Sequence, residues 1–292
     1  MNVSEKTNND SACWKINNDE VMRGMLKMEK KIKIAAVGDN CVDVYDQTGE
    51  AFPGGNPVNV AVYAVRLGGE ASYTGVVGDD AYGKLMKESI AKKGVDISHL
   101  KVMPGSTAVT HVEIIDGERI LGDYEEGVMA DFKLSEEDIE FLGNHDLVVS
   151  GIWGMIENDL EKIKACGTRI AFDFATKYES PVIDIAIPFV DYAFFAYDGE
   201  DEEWMRHFME EMQEKGAKTV IVTRGTKGSI AYDGTSYTEF GIIPCDVVDT
   251  MGAGDSFIAG FLYGILQGKS LQESMEQGAK NSSVTLGYSG AW

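Results

Sequence analysis

The chain has 292 residues, of which 44% are hydrophobic, and it carries a formal net charge of −22 at pH 7. This length and composition indicate a globular protein with a large buried core. The acidic charge argues against nucleic acid as a partner, because nucleic-acid binding depends on clustered lysine and arginine. No apolar stretch approaches the roughly 18 residues of a membrane span, and the N-terminal region lacks the apolar core of a secretory signal.

The cysteines are widely spaced and form no CxxC pair, which indicates neither a zinc site nor a disulfide framework. The histidines show no spacing that is typical of a metal site. These patterns favour reduced thiols and a cytoplasmic location, with no membrane as a partner. The residues in question are Cys13, Cys41, Cys166 and Cys245, together with His99, His111, His145 and His207.

Residues 1–30 are polar and mixed in charge, and we predict a disordered extension of which residues 1–27 are dispensable. The pattern then changes, and "KIKIAAVG" predicts a buried strand that ends at Gly38. "NPVNVAVYAVRLGG" (56–69) predicts a helix that glycines terminate, and "ASYTGVVG" predicts the next strand. A second helix follows in "DAYGKLMKESIAKKG", which begins with an aspartate and ends with a glycine.

Two hairpins are indicated by residues that alternate in polarity around an Asp-Gly pair. The first covers 106–124 with Asp116-Gly117 at its turn, and the second is "GSIAYDGTSYTEF" (228–240). Between them, short apolar strands alternate with amphipathic helices, which is typical of a parallel sheet covered by helices. Two helices, from 253 to about 267 and from 270 to about 287, complete the pattern.

These elements together predict an α/β fold with a doubly wound, mostly parallel sheet flanked by helices. We expect a single domain over 31–292. A small β lid, built from about 39–53 and 104–124, is expected to cover one edge of the sheet.

The stretch "DTMGAGDSFIAG" (249–260) is the strongest candidate for chemistry. Gly252, Ala253 and Gly254 precede an apolar helix, so backbone N–H groups and the positive end of the helix dipole are free to bind an anion. Asp255 lies within this cradle, where a carboxylate either accepts a proton during catalysis or caps the helix. Both roles remain open from the residues alone.

Two other nucleotide signatures are not matched. "GILQGKS" (264–270) is one residue short of a Walker A loop and ends a helix instead of opening one. The glycines at 252 and 254 could begin a dinucleotide-binding signature, but that signature follows the first strand of a βαβ unit, whereas these glycines lie late in the chain. No later strand supplies the acidic residue that the signature also needs, which disfavours NAD binding.

Two early stretches offer candidate ligands for a hydroxyl-rich substrate. In "FPGGNPVNV", Gly55 allows close backbone approach, and Asn56 and Asn59 provide amide donors and acceptors. In "GDNCVD", Asp39 and Asp43 follow the first strand, at the edge where open α/β sheets bind ligands. For "FPGGNPVNV" the alternative interpretation is a tight turn with an asparagine cap. For "GDNCVD" it is a capped turn.

Together these stretches resemble the PfkB/ribokinase family of ATP-dependent sugar kinases. The Gly-Gly-x-x-x-Asn at 54–59 and the Asp-Thr-x-Gly-Ala-Gly-Asp at 249–255 match its two signatures, and the resemblance runs from about 31 to 292. It implies a ribokinase-like fold, ATP and Mg²⁺ as cofactors, and a sugar as the second substrate. Some members also use a monovalent cation near the position of Asp249, and the resemblance leaves that open for this chain.

The resemblance also implies roles for individual residues. Asp255 matches the catalytic base, and the amides of Gly252, Ala253 and Gly254 match the anion hole. The remaining matches hold sugar hydroxyls (Asp43, Gly55 and Asn59), line the nucleotide (Thr223, Gly225 and Gly228) and order magnesium through water (Glu200).

Two positions depart from the family pattern. Tyr197 stands where an asparagine is usual, near the expected magnesium residue. Arg224 stands where an apolar residue is usual, and it either contacts a phosphate or points to solvent.

Within the family, the chain is most similar to enzymes that phosphorylate fructoselysine. The resemblance is carried by "GDNCVD", "GDYEEGVMADF" (122–132), "VVDTMGAGDSFIAGF" (247–261) and "GAW" (290–292). It implies ATP-dependent phosphorylation of the 6-hydroxyl of fructoselysine, with a homodimer through the lid as an option. A fructokinase or another ketose or ribose kinase is the alternative, and a catalytically inactive sugar-binding regulator is a third. Three acidic residues beside the lid are candidates to face the substrate's amines: Asp123, Glu125 and Glu126.

Overall fold

The computed structural model describes residues 31–115 and 118–292. The expected extension over residues 1–30 and the expected turn at Asp116-Gly117 therefore lie outside the described residues. Residues Ile32–Trp292 form one compact unit. Within the described ranges, no helix combines the length and the apolar character needed to cross a bilayer.

Strands and helices alternate along the described chain, as the sequence pattern predicts. The strands are β1 (Lys33–Val37), β2 (Cys41–Tyr45), β3 (Ala51–Gly54), β4 (Glu70–Gly78), β5 (Leu100–Met103), β6 (Val109–Ile115), β7 (Glu118–Glu125), β8 (Leu147–Gly151), β9 (Arg169–Asp173), β10 (Tyr192–Ala196), β11 (Thr219–Thr223), β12 (Ser229–Tyr232) and β13 (Tyr237–Phe240). The helices are α1 (Asn56–Arg66), α2 (Ala81–Lys92), α3 (Glu136–Gly143), α4 (Leu160–Ala165), α5 (Val182–Ala186), α6 (Glu202–Glu214), α7 (Ala253–Leu266) and α8 (Leu271–Leu286).

The large sheet has the strand order β13-β12-β11-β10-β9-β8-β1-β4-β5. From β11 to β5 in this order the strands are parallel, whereas the hairpin β12–β13 is antiparallel. In β1, Ile34 and Ala36 pack into the apolar layer that contains α1 and α7, and Ala35 and Val37 pack into the opposite layer. Burial on both faces explains the uninterrupted apolar run of this strand. The predicted doubly wound fold is confirmed.

A second, smaller sheet has the order β3-β2-β6-β7. β2 is antiparallel to β3 and parallel to β6, and β6 is antiparallel to β7 with a register shift between Thr110 and Val112. β2 follows β1 after only Gly38, Asp39 and Asn40, so this sheet starts directly at the carboxyl edge of the large sheet. The described strands within 39–53 and 104–124 belong to it.

Helix α1 begins where the chain leaves the second sheet. Its N-cap, Gly55, has a φ of 109°, which glycine adopts readily. A Cβ at this position would lie 2.7 Å from Cα of Asn40, so glycine is also required sterically. Pro57 in the first turn favours a helix start because it needs no backbone donor there. The side chains of Asn56 and Asn59 are thereby placed at the carboxyl edge of the large sheet.

Candidate active site

Three carboxyl groups meet at the carboxyl edge of the large sheet. Asp39 follows β1, Asp173 ends β9, and Asp255 lies in the first turn of α7. Burial, and then the charge of Asp255, raises the pKa of Asp39, and both causes also act on the pKa of Asp173, so the three groups lie within electrostatic reach of one another. This edge is where open α/β sheets bind their ligands.

Two asparagines of α1 hold Asp255. Nδ2 of Asn56 donates to Oδ1 of Asp255, and Nδ2 of Asn59 donates to Oδ2, each at 2.7 Å. Asn56 also donates to Oδ2 of Asp173 at 2.9 Å, so one amide bridges two carboxylates. The sequence motifs placed these asparagines beside sugar hydroxyls, whereas their amide nitrogens contact the carboxylate expected to act as the base.

The removal of water raises the pKa of all three carboxyl groups. Burial and the charge of Asp255 raise the pKa of Asp39 to about 7. Burial also raises the pKa of Asp173 to about 7, although a backbone hydrogen bond opposes it. At Asp255, burial raises the pKa more than the amides of Asn59 and Asn56 lower it. A carboxylate with a raised pKa is suited to accept a proton near neutral pH.

The start of α7 forms a turn whose first position requires glycine. Gly252, the N-cap, has a φ of 69°, and a Cβ there would lie 2.4 Å from the hydroxyl oxygen of Tyr63. No side chain of the described residues caps this helix. A Cβ on Gly254 would meet no described atom within 4 Å, so the turn faces an open space. The N–H of Ala253 donates to the carbonyl oxygen of Thr250 at 3.3 Å.

The second sheet brings Asp43 close to the same edge. Its side chain is buried, and the thiol of Cys41 donates to its Oδ1 at 3.5 Å. Burial raises the pKa of the Cys41 thiol, and the charges of Asp43 and Asp39 raise it further. The two aspartates therefore lie on either side of Cys41 in the chain, Asp43 within β2 and Asp39 in the segment that joins β1 to β2.

Strand β7 carries Tyr124, which is 45% exposed. Burial raises the pKa of the Tyr124 hydroxyl, and the charge of Asp39 raises it further. Asp123 and Glu125 lie on the opposite face because side chains alternate along a strand, and Glu125 lies 3.9 Å from a histidine ring of β6. Glu126 follows the strand and also raises the pKa of Tyr124. Of the three acidic candidates, Glu126 is thus the one whose charge raises the pKa of Tyr124.

The expected nucleotide residues follow β11. Thr223 ends this strand, and its hydroxyl donates to the carbonyl oxygen of Phe195 at 3.4 Å. Gly225 and Gly228 have φ values of 54° and 84°, so the loop between β11 and β12 turns tightly. A Cβ on Gly228 would lie 2.2 Å from the carbonyl oxygen of Phe240, which excludes any other residue there.

Arg224 lies inside this loop and is buried. Its guanidinium lies 3.5 Å from a carboxylate oxygen of Glu202 and 3.4 Å from one of Glu239. Of the two alternatives for Arg224, the one in which it points to solvent is therefore wrong, because the side chain is buried and lies beside these two carboxylates.

Glu200, the expected magnesium residue, lies on the loop after β10. Its side chain is 87% exposed, and Oε2 lies 2.7 Å from Nζ of Lys227. Tyr197, at the usual asparagine position, exchanges hydrogen bonds with the backbone of Asp201. Among the described residues there is no group of three or more histidine, cysteine or acidic side chains that could hold a metal. A metal bound here would take most of its ligands from phosphate and water.

Residues 28–292 match a family model described as pfkB family carbohydrate kinase. The chain belongs to this family. The site described above therefore belongs to a pfkB-family carbohydrate kinase. The expected class of enzyme, an ATP-dependent sugar kinase, is confirmed.

Two relatives and one solved structure show which members of the pfkB family this chain is similar to. Fructoselysine 6-kinase of Shigella flexneri is 48% identical over 259 residues, which cover 89% of this chain and 99% of that protein. Fructosamine kinase FrlD of Bacillus subtilis (strain 168) is 34% identical over 266 residues, covering 89% of this chain and 93% of that one. Ribokinase of Arabidopsis thaliana, solved with ribose and ATP, has a TM-score of 0.81 and 24% identity, and the match covers 89% of this chain and 94% of that one. The ribokinase-like fold is therefore confirmed.

The pfkB-family site contains one residue that the sequence motifs did not single out, Asp173, and one to which they gave no role, Trp292. Asp173 accepts a hydrogen bond from Asn56, which also donates to Asp255. Asp173 ends a buried strand, and this position in the sequence could have indicated it as a site residue. Nε1 of Trp292 donates to Oδ1 of Asn59 at 2.7 Å. These two residues are 233 positions apart, and no local pattern in the sequence relates them.

Proposed function

We propose that this protein transfers the γ-phosphoryl group of ATP to the 6-hydroxyl of fructoselysine. The observation that carries the proposal is the carboxylate of Asp255, held on both oxygens by Asn56 and Asn59 at the N-terminus of α7. Phosphoryl transfer to an alcohol needs a base for the hydroxyl and a fixed arrangement of donors for the phosphoryl oxygens, and one helical turn supplies both.

In this reaction Asp255 accepts the proton of the 6-hydroxyl as the oxygen attacks the γ-phosphorus. A bond forms between that oxygen and phosphorus, the bond from phosphorus to the β-phosphate oxygen breaks, and ADP leaves. The amides of Gly252, Ala253 and Gly254 and the dipole of α7 stabilise the negative charge on the transferring group. The turn therefore binds the phosphoryl group, and Asp255 stands beside it to receive the proton.

The sugar is proposed to lie between the two sheets. Among the described residues, three buried polar atoms have no hydrogen-bond partner here: Oδ1 of Asp39, Oδ1 of Asn56 and Oγ of Ser150. Sugar hydroxyls both donate and accept, so they complement such atoms. Asp43, Gly55 and Asn59 complete this proposed sugar site, and the second sheet acts as a lid that excludes water from ATP.

ATP is proposed to lie along the loop after β11, lined by Thr223, Gly225 and Gly228. Glu200 fits a magnesium ion that is coordinated through water, because Mg²⁺ prefers oxygen ligands, keeps several waters and needs few carboxylates when phosphates are present. When bound, the ion neutralises phosphate charge during the transfer. Asp249 accepts hydrogen bonds from the backbone N–H groups of Met251 and Gly290.

The choice of fructoselysine is supported by the relatives named above, at 48% and 34% identity. A fructokinase or another ketose or ribose kinase is the alternative, because Asp255 and the amides of its turn would serve any of these substrates. A catalytically inactive sugar-binding regulator is disfavoured by the intact turn from Gly252 to Asp255.

The proposal also includes the setting of the enzyme. We place the reaction in the cytoplasm, where ATP is supplied and where the free thiols of Cys41, Cys166 and Cys245 stay reduced. A homodimer is proposed through the second sheet, whose outer strands β3 and β7 pair on one side only within the described chain. Light scattering of the purified protein measures this state directly.

A coupled assay of ADP release tests the function. Fructoselysine, fructose, ribose and adenosine are compared at the same ATP and Mg²⁺ concentrations. We expect fructoselysine to exceed fructose by at least about tenfold in kcat/KM, which needs roughly 1.4 kcal/mol of differential transition-state binding. Equal or better turnover of fructose would favour the fructokinase alternative, and no turnover with any sugar would favour the regulator.

A further inference from the structure

Residues 290–292 lie against the turn that carries the proposed base. The N–H of Gly290 donates to Oδ2 of Asp249 at 2.7 Å, and the carbonyl oxygen of Ala291 accepts from the hydroxyls of Tyr63 and Tyr288. This short segment is therefore fixed to the loop before α7 on one side and to α1 on the other. It joins the two elements that supply Asp255 and its asparagines.

Trp292 extends this contact to the amide of Asn59. Nε1 of Trp292 lies 2.7 Å from Oδ1 of Asn59, and Nδ2 of the same amide lies 2.7 Å from Oδ2 of Asp255. An indole N–H can only donate and a carboxylate can only accept. One orientation of the amide satisfies both neighbours, with its oxygen toward Trp292 and its nitrogen toward Asp255.

We infer that Trp292 is a positioning residue for phosphoryl transfer, which acts through Asn59 to hold the carboxylate of Asp255 in place. The inference rests on the proposed function, because it assigns Trp292 to the base of that reaction. Without the indole N–H, the amide of Asn59 loses one of the two partners that fix its position, and only Asp255 then opposes a change in its orientation. A reversed amide would place its oxygen against a carboxylate oxygen, which is repulsive.

The indole ring is itself held in place. It packs against the apolar layer that contains α1 and α7, and Nζ of Lys93 lies 5.4 Å from its centroid. A cation in this position over an indole ring is attractive. These ring contacts are separate from the N–H contact to Asn59, so substitutions can remove one and keep the other.

The test compares Trp292→Phe with Lys93→Gln. The first keeps an aromatic ring but removes the N–H, and the second removes the cation but keeps the N–H. We expect kcat of Trp292→Phe to fall about 3- to 10-fold, the size of one net hydrogen bond, with KM for ATP within about twofold. We expect kcat of Lys93→Gln to stay within about twofold. Wild-type kcat in Trp292→Phe would overturn the inference.

A second measurement separates positioning from a general loss of stability. Asn59 lowers the pKa of Asp255, so a weakened contact should move the acid limb of kcat/KM to higher pH in Trp292→Phe. The other titratable groups that face Asp255 are Asp39, Asp173 and Tyr63, and neither variant changes them. A fall in kcat together with a lower thermal midpoint and an unmoved acid limb would make Trp292 a structural residue and would also overturn the inference.

A double-mutant cycle tests the route through Asn59. If Trp292 acts through this amide, Trp292→Phe should cost nothing further in an Asn59→Ala background, whereas independent effects would multiply. Wild-type enzyme in the same assay separates a failure of the proposed function from a failure of the role inferred for Trp292. No wild-type turnover contradicts the proposed function, while normal wild-type turnover with multiplying effects contradicts only the role of Trp292.

Discussion

Asn56 holds Asp255 through a hydrogen bond of 2.7 Å from its Nδ2 to Oδ1. The same nitrogen lies 2.9 Å from a carboxylate oxygen of Asp173, so a neutral amide with two N–H groups stands between two acids. Both acids lie where water is largely removed, and burial raises the pKa of each. The amide keeps Asp255 oriented without neutralising it, which leaves the carboxylate able to take up a proton.

The first prediction concerns Asp255→Asn, which keeps the shape of the side chain but cannot accept a proton. We expect kcat to fall about 10²- to 10⁴-fold, the range for loss of a general base. ATP affinity, measured by calorimetry, should hold or tighten because one negative charge near the γ-phosphate is removed. Asp131→Asn, at an exposed position, is the matched control and should leave kcat unchanged. Near-normal kcat in Asp255→Asn would make Asp255 a helix cap.

The second prediction concerns Asp39 and the pH dependence of stability. Its pKa is about 7 in the folded protein and about 4 in an unfolded chain, so the folded state binds the proton more tightly. The free energy of unfolding therefore falls as pH rises from about 4 to about 7, and it stays lower above that range. Asp39→Asn removes this ionisation and should raise the thermal midpoint at pH 8.5 by at least about 2 °C.

The control for Asp39→Asn is the same comparison at pH 5, where the wild-type carboxyl is protonated. There the two proteins should differ less than at pH 8.5. An equal difference at both pH values would show that the substitution acts through packing and not through the charge.

The sequence predicted most of the large sheet and the proposed base, because both depend on local patterns. The alternating strands and helices, the hairpin β12–β13 and the helix that starts at Ala253 follow from apolar periodicity and glycine positions. Asp255 lies inside a continuous motif.

The contacts made by distant residues could not be predicted. Trp292 meets Asn59 across 233 positions, and Asp173 meets Asn56 across 117. Such pairs depend on how α1, β9 and the segment after α8 pack, which no short pattern encodes. Arg224 is a similar case, because the carboxylates of Glu202 and Glu239 that hold it come from separate elements.

The third prediction uses the two faces of β7 to locate the amine-binding side of the proposed site. The charges of Asp39 and Glu126 both raise the pKa of Tyr124, whereas Glu125 lies on the other face of the strand, 3.9 Å from a histidine ring. Glu126→Gln should raise KM for fructoselysine about 3- to 10-fold more than KM for fructose, because only the first substrate carries amines. Glu125→Gln is the matched control and should change both values alike. If the two variants behave in the same way, neither carboxylate recognises the lysine part.

The fourth prediction concerns Glu200 and magnesium. Among the described residues, the exposed carboxylate of Glu200 forms an ion pair only with Lys227, so Glu200→Gln should leave the thermal midpoint within about 1 °C. The Mg²⁺ concentration for half-maximal activity should rise about 3- to 10-fold, since one ligand of the ion's water shell is weakened. Lys227→Gln is the control and should not raise that concentration. An unchanged Mg²⁺ titration in Glu200→Gln would remove Glu200 from the proposed metal site.

The last prediction separates two glycines of the anion-binding turn. Gly252 has a left-handed backbone, and a Cβ there would lie 2.4 Å from the hydroxyl of Tyr63 and 3.1 Å from Cβ of Ala291. Gly252→Ala should therefore lower the thermal midpoint, and it should lower kcat at least about tenfold because the amides shift relative to Asp255. Gly254 has helical geometry with open space beside it, so Gly254→Ala should raise stability by up to about 1 kcal/mol.

The kinetics of Gly254→Ala then decide what occupies that space. If the γ-phosphoryl group lies against the turn, a methyl group there should raise KM for ATP or lower kcat at least about fivefold while the protein becomes more stable. The opposite signs of the two effects exclude unfolding as the cause. A Gly254→Ala enzyme with wild-type KM and kcat would show that the phosphoryl group does not approach this position. The anion would then be bound by other amides of the loop.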